Sequence, residues 1–371
     1  MIVNDKVLKY GEKTVFTLRS LFSGYGYSQY KMSKFEEYDL YVRNKDFLIS
    51  EGVITFTDTN GRLMALKPDV TLSIIKNSND NPGFVQKFYY DENVYRVSDK
   101  THTFKEIMQV GLECIGDIDD YCIEEVVALS AKSLMLMGKE AVLDISHLGI
   151  LSDVFAWAGI PEEDRATVMK YVGEKNLHEL HRFCEFLGVE DEKTAVIKKL
   201  VGTYGKPKEV LPKLREMLGG IVELSSVDTL SKIVDSIEMD EGRDIIRIDF
   251  SVISDIKYYN GIVFKGFLSG IPQSVLSGGQ YDRLMKKMQK KSGAIGFAVY
   301  LDLLERLHAP DEKYDADTVI LYDKNSDNGK IREAVKKYSE EGSVSVQRKL
   351  PEKFRYKKIV KIMNGEVTVL E

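Results

Sequence analysis

The chain has 371 residues, too many for one small core at the usual ~100–200 residues per domain, so about two or three folding units are expected. Hydrophobic residues at 43% and charged residues at 30% are globular proportions that exclude wholesale disorder and fibrous repeats. Fifty-eight acids against 52 Lys and Arg leave a net charge of −6, which argues against a whole-protein electrostatic grip on nucleic acid or anionic lipid and leaves room only for local basic faces.

In chain order, residues 4–22 carry Val7, Leu8, Val15, Phe16, Leu18 and Leu21 at helical spacing, and Gly24 to Gly26 ends that helix. No signal-type apolar region occurs in the first thirty residues, so a cytoplasmic protein is expected. From there to residue 116 short apolar runs, Val53–Thr57, Arg62–Leu66, Val85–Tyr90 and Val94–Val97, read as an antiparallel sheet. Asn60-Gly61 is its strongest hairpin signal, because a two-residue turn asks both positions to accept positive φ. A helix over 120–137, a strand over 141–145 and a helix over 147–158 ending at Gly159 follow. The apolar stretch Val126–Met137 is broken by Lys132 and falls short of the ~20 residues a membrane span needs, so no membrane role is expected.

From Pro161 to about residue 240 the period stays near 3.6, a separate helical block. Strand texture returns at Asp244–Phe250, continues through Tyr258–Phe264 and the Gly-rich Ser277–Asp282, and gives way to a helix expected over 297–307. After Ala309-Pro310 a small α/β lobe of 56 residues, 316–371, is expected, with strands at 317–322, 343–346 and 367–370 and a helix at 328–341. The fold class is therefore α+β: residues 1–158 and 241–310 form a discontinuous core, 159–240 a helical insertion, and 316–371 the C-terminal lobe.

The common enzyme signatures are absent: no Walker A lysine loop, no GxGxxG after a strand, no GxSxG elbow, no HExxH helix. Cys114, Cys122 and Cys184 form no CxxC pair, so neither a disulfide nor a zinc site is expected. His178 and His181 share one helix face without a carboxylate-rich partner, and His147 stands where a helix would be capped; no metal or cofactor is expected.

Three segments carry the remaining chemistry. Leu66-Lys-Pro-Asp69-Val-Thr71 is a Pro-led turn into a helix, offering a carboxylate and a hydroxyl to a ligand's amino group. Val94–Val97 and Gln109–Gly116 read as paired strands, and alternation sets Gln109, Gly111 and Glu113 on one face, with the small residue leaving room for a bound molecule. Tyr258-Tyr259-Asn-Gly261, Ser277-Gly278-Gly279-Gln-Tyr281-Asp282 and Gly293-Ala-Ile-Gly296 combine flat rings with glycines that permit close backbone approach.

Together these segments resemble the catalytic core of class II aminoacyl-tRNA synthetases, most closely histidyl-tRNA synthetases and their paralogues, the regulatory subunits of ATP phosphoribosyltransferase. The likeness covers roughly residues 4–308. Gly26-Tyr27 through Leu40 is similar to the first class II motif, with Ser33 in place of its proline; Tyr95-Arg96 through Gly116 is similar to the second, and Gly293–Leu304 to the third. The resemblance assigns Asp69, Thr71 and Gln109 to an α-amino group, Glu113 and Tyr259 to an imidazole, and Arg96 to the second-motif arginine, with Tyr258 in the histidine-specific loop. A histidine-like ligand is thus implied for Asp69, Thr71, Arg96, Gln109, Glu113, Tyr258 and Tyr259.

The departures are as informative. The third-motif arginine aligns with Leu303, the arginine and aspartate of the histidine-specific loop with Ser254 and Lys257, and the acidic residue after Arg96 with Ser98. Losing one preorganised donor typically costs on the order of 10²–10³ in rate, so no catalytic residue and no adenylation are expected. The resemblance then implies a non-catalytic subunit that binds the short-form catalytic subunit of ATP phosphoribosyltransferase, as a homodimer within a hetero-oligomer, with histidine as its feedback ligand. The alternatives are a divergent histidyl-tRNA synthetase and a pseudo-synthetase binding tRNA or an amino acid. Basic clusters at Arg348, Lys349, Lys353, Arg355, Lys357, Lys358 and Lys361, and at Arg283, Lys286, Lys287, Lys290 and Lys291, are the best support for tRNA; the short C-terminal lobe and net acidity count against it.

Overall fold

The computed structural model describes residues 8–45, 52–98, 101–241, 244–252, 258–304, 314–363 and 366–370. The chain divides into two compact units, residues 1–307 and 308–371.

The first unit opens with helix α1 (Tyr10–Gly24), which buries Leu18 and Phe22. Strands β1 (Ser28–Gln29) and β2 (Phe35–Glu37), helix α2 (Tyr38–Arg43), strands β3 (Thr55–Thr57) and β4 (Leu63–Leu66) and helix α3 (Thr71–Asn77) lead to two long strands, β5 (Val85–Val97) and β6 (Phe104–Gly116). Where one antiparallel sheet was expected, two form: β2-β4-β3 is a small sheet of its own, and β5 and β6 join a nine-stranded one. The turn between β3 and β4 also differs from the expected two-residue form. Gly61 has φ +80° and donates to the Asp58 carbonyl at 3.1 Å, while Asp58 Oδ1 accepts from Asn60 N and Arg62 N, both at 2.8 Å. The Asp58 carboxylate therefore holds a three-residue loop that needs positive φ only at the glycine.

Helix α4 (Asp120–Met137) starts on Asp119, whose Oδ1 accepts from Cys122 N at 2.9 Å. It is followed by β7 (Ala141–His147) and α5 (Leu148–Ala158), closed by Gly159 at φ +80°. His147 caps α5, its Nδ1 accepting from Gly149 N at 3.1 Å, and burial lowers its pKa to about 4. A 3-10 turn (Glu162–Asp164) and α6 (Arg165–Gly173), α7 (Leu177–Phe186), α8 (Asp191–Val201), β8 (Tyr204–Gly205), α9 (Pro207–Leu218) and α10 (Ser225–Glu241) make up the helical block, whose Leu180, Ile197, Leu214 and Leu230 share one continuous core with the sheet.

The sheet is completed by β9 (Ile246–Asp249), β10 (Ile262–Leu268), β11 (Leu276–Gln280), the short helix α11 (Asp282–Lys287) and β12 (Gly293–Tyr300), which leads into α12 (Leu301–Leu304). The helix expected over 297–307 is corrected here, since residues 297–300 belong to β12. That run, Phe-Ala-Val-Tyr, is apolar throughout, and such a sequence has no polar alternation to tell a strand from a helix. Strand order is β1-β5-β6-β12-β11-β10-β7-β9-β8. The central run from β5 to β7 is antiparallel, and β1–β5 and β7–β9 are parallel. α1 and α4 pack on one face, against Val110, Leu112, Cys114, Ile295 and Phe297. The opposite face, ringed by α3 and Tyr258-Tyr259, carries the cavity described below.

The second unit is a four-stranded sheet of β13 (Ala316–Tyr322), β14 (Val344–Gln347), β15 (Tyr356–Met363) and β16 (Glu366–Leu370), in the order β14-β13-β15-β16, with helix α13 (Asn328–Ser339) on one face. β15 is an unexpected central strand: its Ile359, Val360 and Ile362 are buried while Lys357, Lys358 and Lys361 share the same segment.

Candidate functional site

Pairing across the antiparallel run builds the floor of a cavity of about 310 Å³. All seven residues singled out from the sequence, Asp69, Thr71, Arg96, Gln109, Glu113, Tyr258 and Tyr259, line it. Gln109 and Glu113 alternate on β6 with Val110, Leu112 and Cys114, which point into the core, so the period of two divides recognition from packing within a single strand. Asp69 and Thr71 enter from the start of α3, where the Asp69 carboxylate accepts from Leu72 N at 2.9 Å. Arg96 is fixed by its Nε donating to the Pro68 carbonyl at 2.9 Å.

Glu113 is the centre of the polar network. Thr71 Oγ1 donates to its Oε1 at 2.6 Å and Tyr281 Oη to its Oε2 at 2.5 Å. Burial pushes its pKa up to about 8, against the pull of those two donors and with Asp69 adding to the rise. Asp69 is raised by burial as well, with Leu72 N–H and Arg96 opposing. Two carboxyls held toward their neutral form at one end of a cavity are tuned to receive a cationic or hydrogen-bonding basic group, which would restore their charge. Tyr258 stacks tilted on Tyr259 with ring centroids 4.7 Å apart and faces Tyr281 at 5.7 Å, a rigid aromatic wall beside the acids.

The glycines act differently from the expected close approach to ligand. A Cβ at Gly111 would lie 2.5 Å from Tyr90 Oη, one at Gly296 would lie against Glu113 Oε2, and one at Gly279 would lie 2.8 Å from the Tyr259 ring. At Gly111 and Gly296 the empty Cβ position is filled by the side chain paired across the strands, because such residues share a face and the larger partner lies over the glycine, whereas at Gly279 it is taken by Tyr259, which precedes β10. Tyr90, Lys265, Ser274 and Tyr300 also line the cavity and were not singled out from the sequence; register across five strands, invisible in any one segment, brings them there.

Leu303 lies in α12 within the main core and lends the cavity no polar atom. Ser98 sits in the β5–β6 turn, its N–H bonded to the Thr103 carbonyl at 2.9 Å. Ser254 and Lys257 lie outside the described residues. Among the described residues, Arg96 and Lys265 are the cations lining the cavity, and no group of three metal-ligating side chains occurs. No helix among the described residues is long and apolar enough to cross a membrane. In the basic clusters, Arg355 pairs with Asp315 at 2.9 Å, Lys358 with Glu341 at 2.5 Å, and Lys290 Nζ donates to the Ser78 carbonyl at 2.6 Å.

A family model described as histidyl-tRNA synthetase matches residues 4–304. The chain belongs to the histidyl-tRNA synthetase family. Its relatives include an ATP phosphoribosyltransferase regulatory subunit of Oceanobacillus iheyensis, 27% identical over 83% of this chain and 77% of that protein, and a histidine–tRNA ligase of Methanococcus vannielii, 28% identical over 86% and 77%. Among solved structures, one described as an ATP phosphoribosyltransferase regulatory subunit/histidyl-tRNA synthetase from Bacillus halodurans superposes with a TM-score of 0.78 at 19% identity, over 98% of this chain and all of that one. A chain from the HisG:HisZ complex of ATP phosphoribosyl transferase from Thermotoga maritima superposes at 0.61 with 19% identity, over 81% of this chain and 98% of that one. The synthetase-like fold, with its central mixed sheet, flanking helices and small C-terminal sheet, is therefore that of the family.

Proposed function

We propose that this family member is a non-catalytic regulatory subunit of ATP phosphoribosyltransferase, binding a short-form catalytic subunit and conferring activation and histidine feedback. The observation that carries this reading is a cavity furnished for an amino acid with a basic side chain, in which Arg96 and Lys265 are, among the described residues, the cations that could stabilise a transferring phosphate. Asp69, Thr71, Gln109, Glu113 and Tyr259 line it, while Leu303 is apolar and packed in the core. Activating ATP depends above all on cations already in place around the phosphates, and each missing donor costs on the order of 10²–10³ in rate. The regulatory-subunit name carried by relatives such as that of Oceanobacillus iheyensis supports the same reading.

Histidine regulates only by binding one state of the complex more tightly than the other; typical allosteric coupling is ~1–3 kcal/mol. The working form is a homodimer within a hetero-oligomer in the cytoplasm. The rival, a histidine–tRNA ligase, is tested by ATP–pyrophosphate exchange: with histidine and ATP the protein should show no exchange above background, and histidine-dependent exchange overturns the proposal.

A further inference from the structure

On the core side of the cavity floor the fold brings two thiols together. Cys114 is on β6, next to Glu113 but facing the core, and Cys122 is in the first turn of α4. Eight positions separate them in the sequence, with no CxxC spacing to announce the pair. The chain between them reverses at Gly116, which takes φ +142° and has no room for a side chain, since a Cβ there would run into the Phe84 carbonyl oxygen. After that reversal α4 packs on the core face of the sheet, and the Cys114 thiol hydrogen-bonds the Cys122 sulfur.

The two sulfurs have different surroundings. Cys122 is at the third position of an 18-residue helix, its N–H donating to the Asp119 cap at 2.9 Å, so its sulfur sits at the positive end of the helix dipole. It lies one residue beneath the exposed Tyr121 and is 7% exposed, against 0% for Cys114. The hydrogen bond from Cys114 holds the Cys122 thiol below its ordinary pKa, the Asp119 N–H helping against burial. The same hydrogen bond, with burial, pushes the Cys114 thiol up. One sulfur is therefore the nucleophile of the pair, and the other keeps the proton. The third cysteine, Cys184 in α7, is fully buried beside Thr194, and burial pushes its thiol up.

We propose that Cys122 and Cys114 form a peroxide-reactive dithiol, Cys122 attacking and Cys114 resolving, so that oxidation closes a disulfide behind Glu113. In the first step the Cys122 thiolate attacks one oxygen of hydrogen peroxide; the O–O bond breaks, and the departing hydroxide takes up a proton and leaves as water. Cys122 is then a sulfenic acid. In the second step the Cys114 sulfur attacks the Cys122 sulfur, the S–O bond breaks, and the hydroxide leaves with the Cys114 proton as a second water. The two thiols together lose two electrons, and the peroxide is reduced to two waters. The new bond ties the start of α4 to the strand that carries Gln109 and Glu113. Disulfides formed in reducing compartments are usually transient and redox-sensing, and this one stands independently of the regulatory reading.

Mass spectrometry on the full-length chain tests the pair. Reduced and denatured, the protein takes three N-ethylmaleimide groups, one for each cysteine. After brief exposure to hydrogen peroxide the native chain should take only the one at Cys184, with a Cys114–Cys122 cross-linked peptide in the digest, and dithiothreitol should restore the others. Cys114→Ser should leave Cys122 as a sulfenic acid that dimedone captures, and Cys122→Ser should leave Cys114 unoxidised. The native wild-type chain should oxidise roughly tenfold faster than the same chain in urea, where the thiolate fraction is that of an ordinary cysteine and no second thiol is held beside it. Full maleimide labelling after peroxide, oxidation of Cys122 without that cross-link, or a native rate no higher than the unfolded one overturns the proposal. The wild-type measurements decide it whether or not either variant folds.

Discussion

The two faces of the nine-stranded sheet are built from the same strands and do opposite work. On β6, Val110, Leu112 and Cys114 meet α1 and α4 in the core, while Gln109 and Glu113, equally buried, face the cavity with their hydrogen-bonding capacity directed at neighbours and ligand. Burial on the first face contributes stability in proportion to apolar area; burial on the second costs stability and returns pKa values displaced toward binding. The contrast teaches that being buried says little about a residue's role until the face is known.

Substitutions one residue apart should therefore fail in different ways. Leu112→Ala, on the core face, is expected to lower stability by about 2–5 kcal/mol, read by urea denaturation, with ligand affinity of the folded fraction unchanged. Lys67 is buried and pairs with Glu92 at 2.5 Å just before the Pro68-Asp69 wall. Lys67→Met leaves the carboxylate without its cation and should cost about 3 kcal/mol in the same assay.

Glu113→Gln sharpens the contrast through pH. The folded pKa of Glu113, about 8, lies above its ordinary value of 4.5, so the folded state holds a proton that the unfolded chain releases. Its effect is smallest below pH ~4.5 and becomes a growing penalty as pH rises toward 8. Denaturation midpoints should show the wild-type chain losing up to a few kcal/mol against Glu113→Gln between pH 5 and 8; parallel curves would break the link between burial and charge. At the small end, Arg43→Ala removes an exposed i,i+4 pair with Asp39 and should shift stability by no more than about 0.5 kcal/mol.

Much of this was legible in the sequence where one segment sufficed. The helical stretch over 120–137 and Gly159 marked α4 and the end of α5, and the alternation of Gln109, Gly111 and Glu113 gave their shared face. What needed register was not legible. A lone Lys265 in a strand reads as a solvated face, and only pairing with Ser277 and the strands beyond carries it into the cavity. The same applies to Tyr90, whose ring takes the space of Gly111, and to β15, whose lysines masked a central strand because its three buried aliphatics, Ile359, Val360 and Ile362, break simple alternation.

Reconstitution tests the regulatory role most directly. The full-length chain, mixed with a short-form ATP phosphoribosyltransferase catalytic subunit that is inactive alone, should restore phosphoribosyl transfer to ATP, and added histidine should suppress it. A catalytic subunit that stays inactive in its presence would contradict that role.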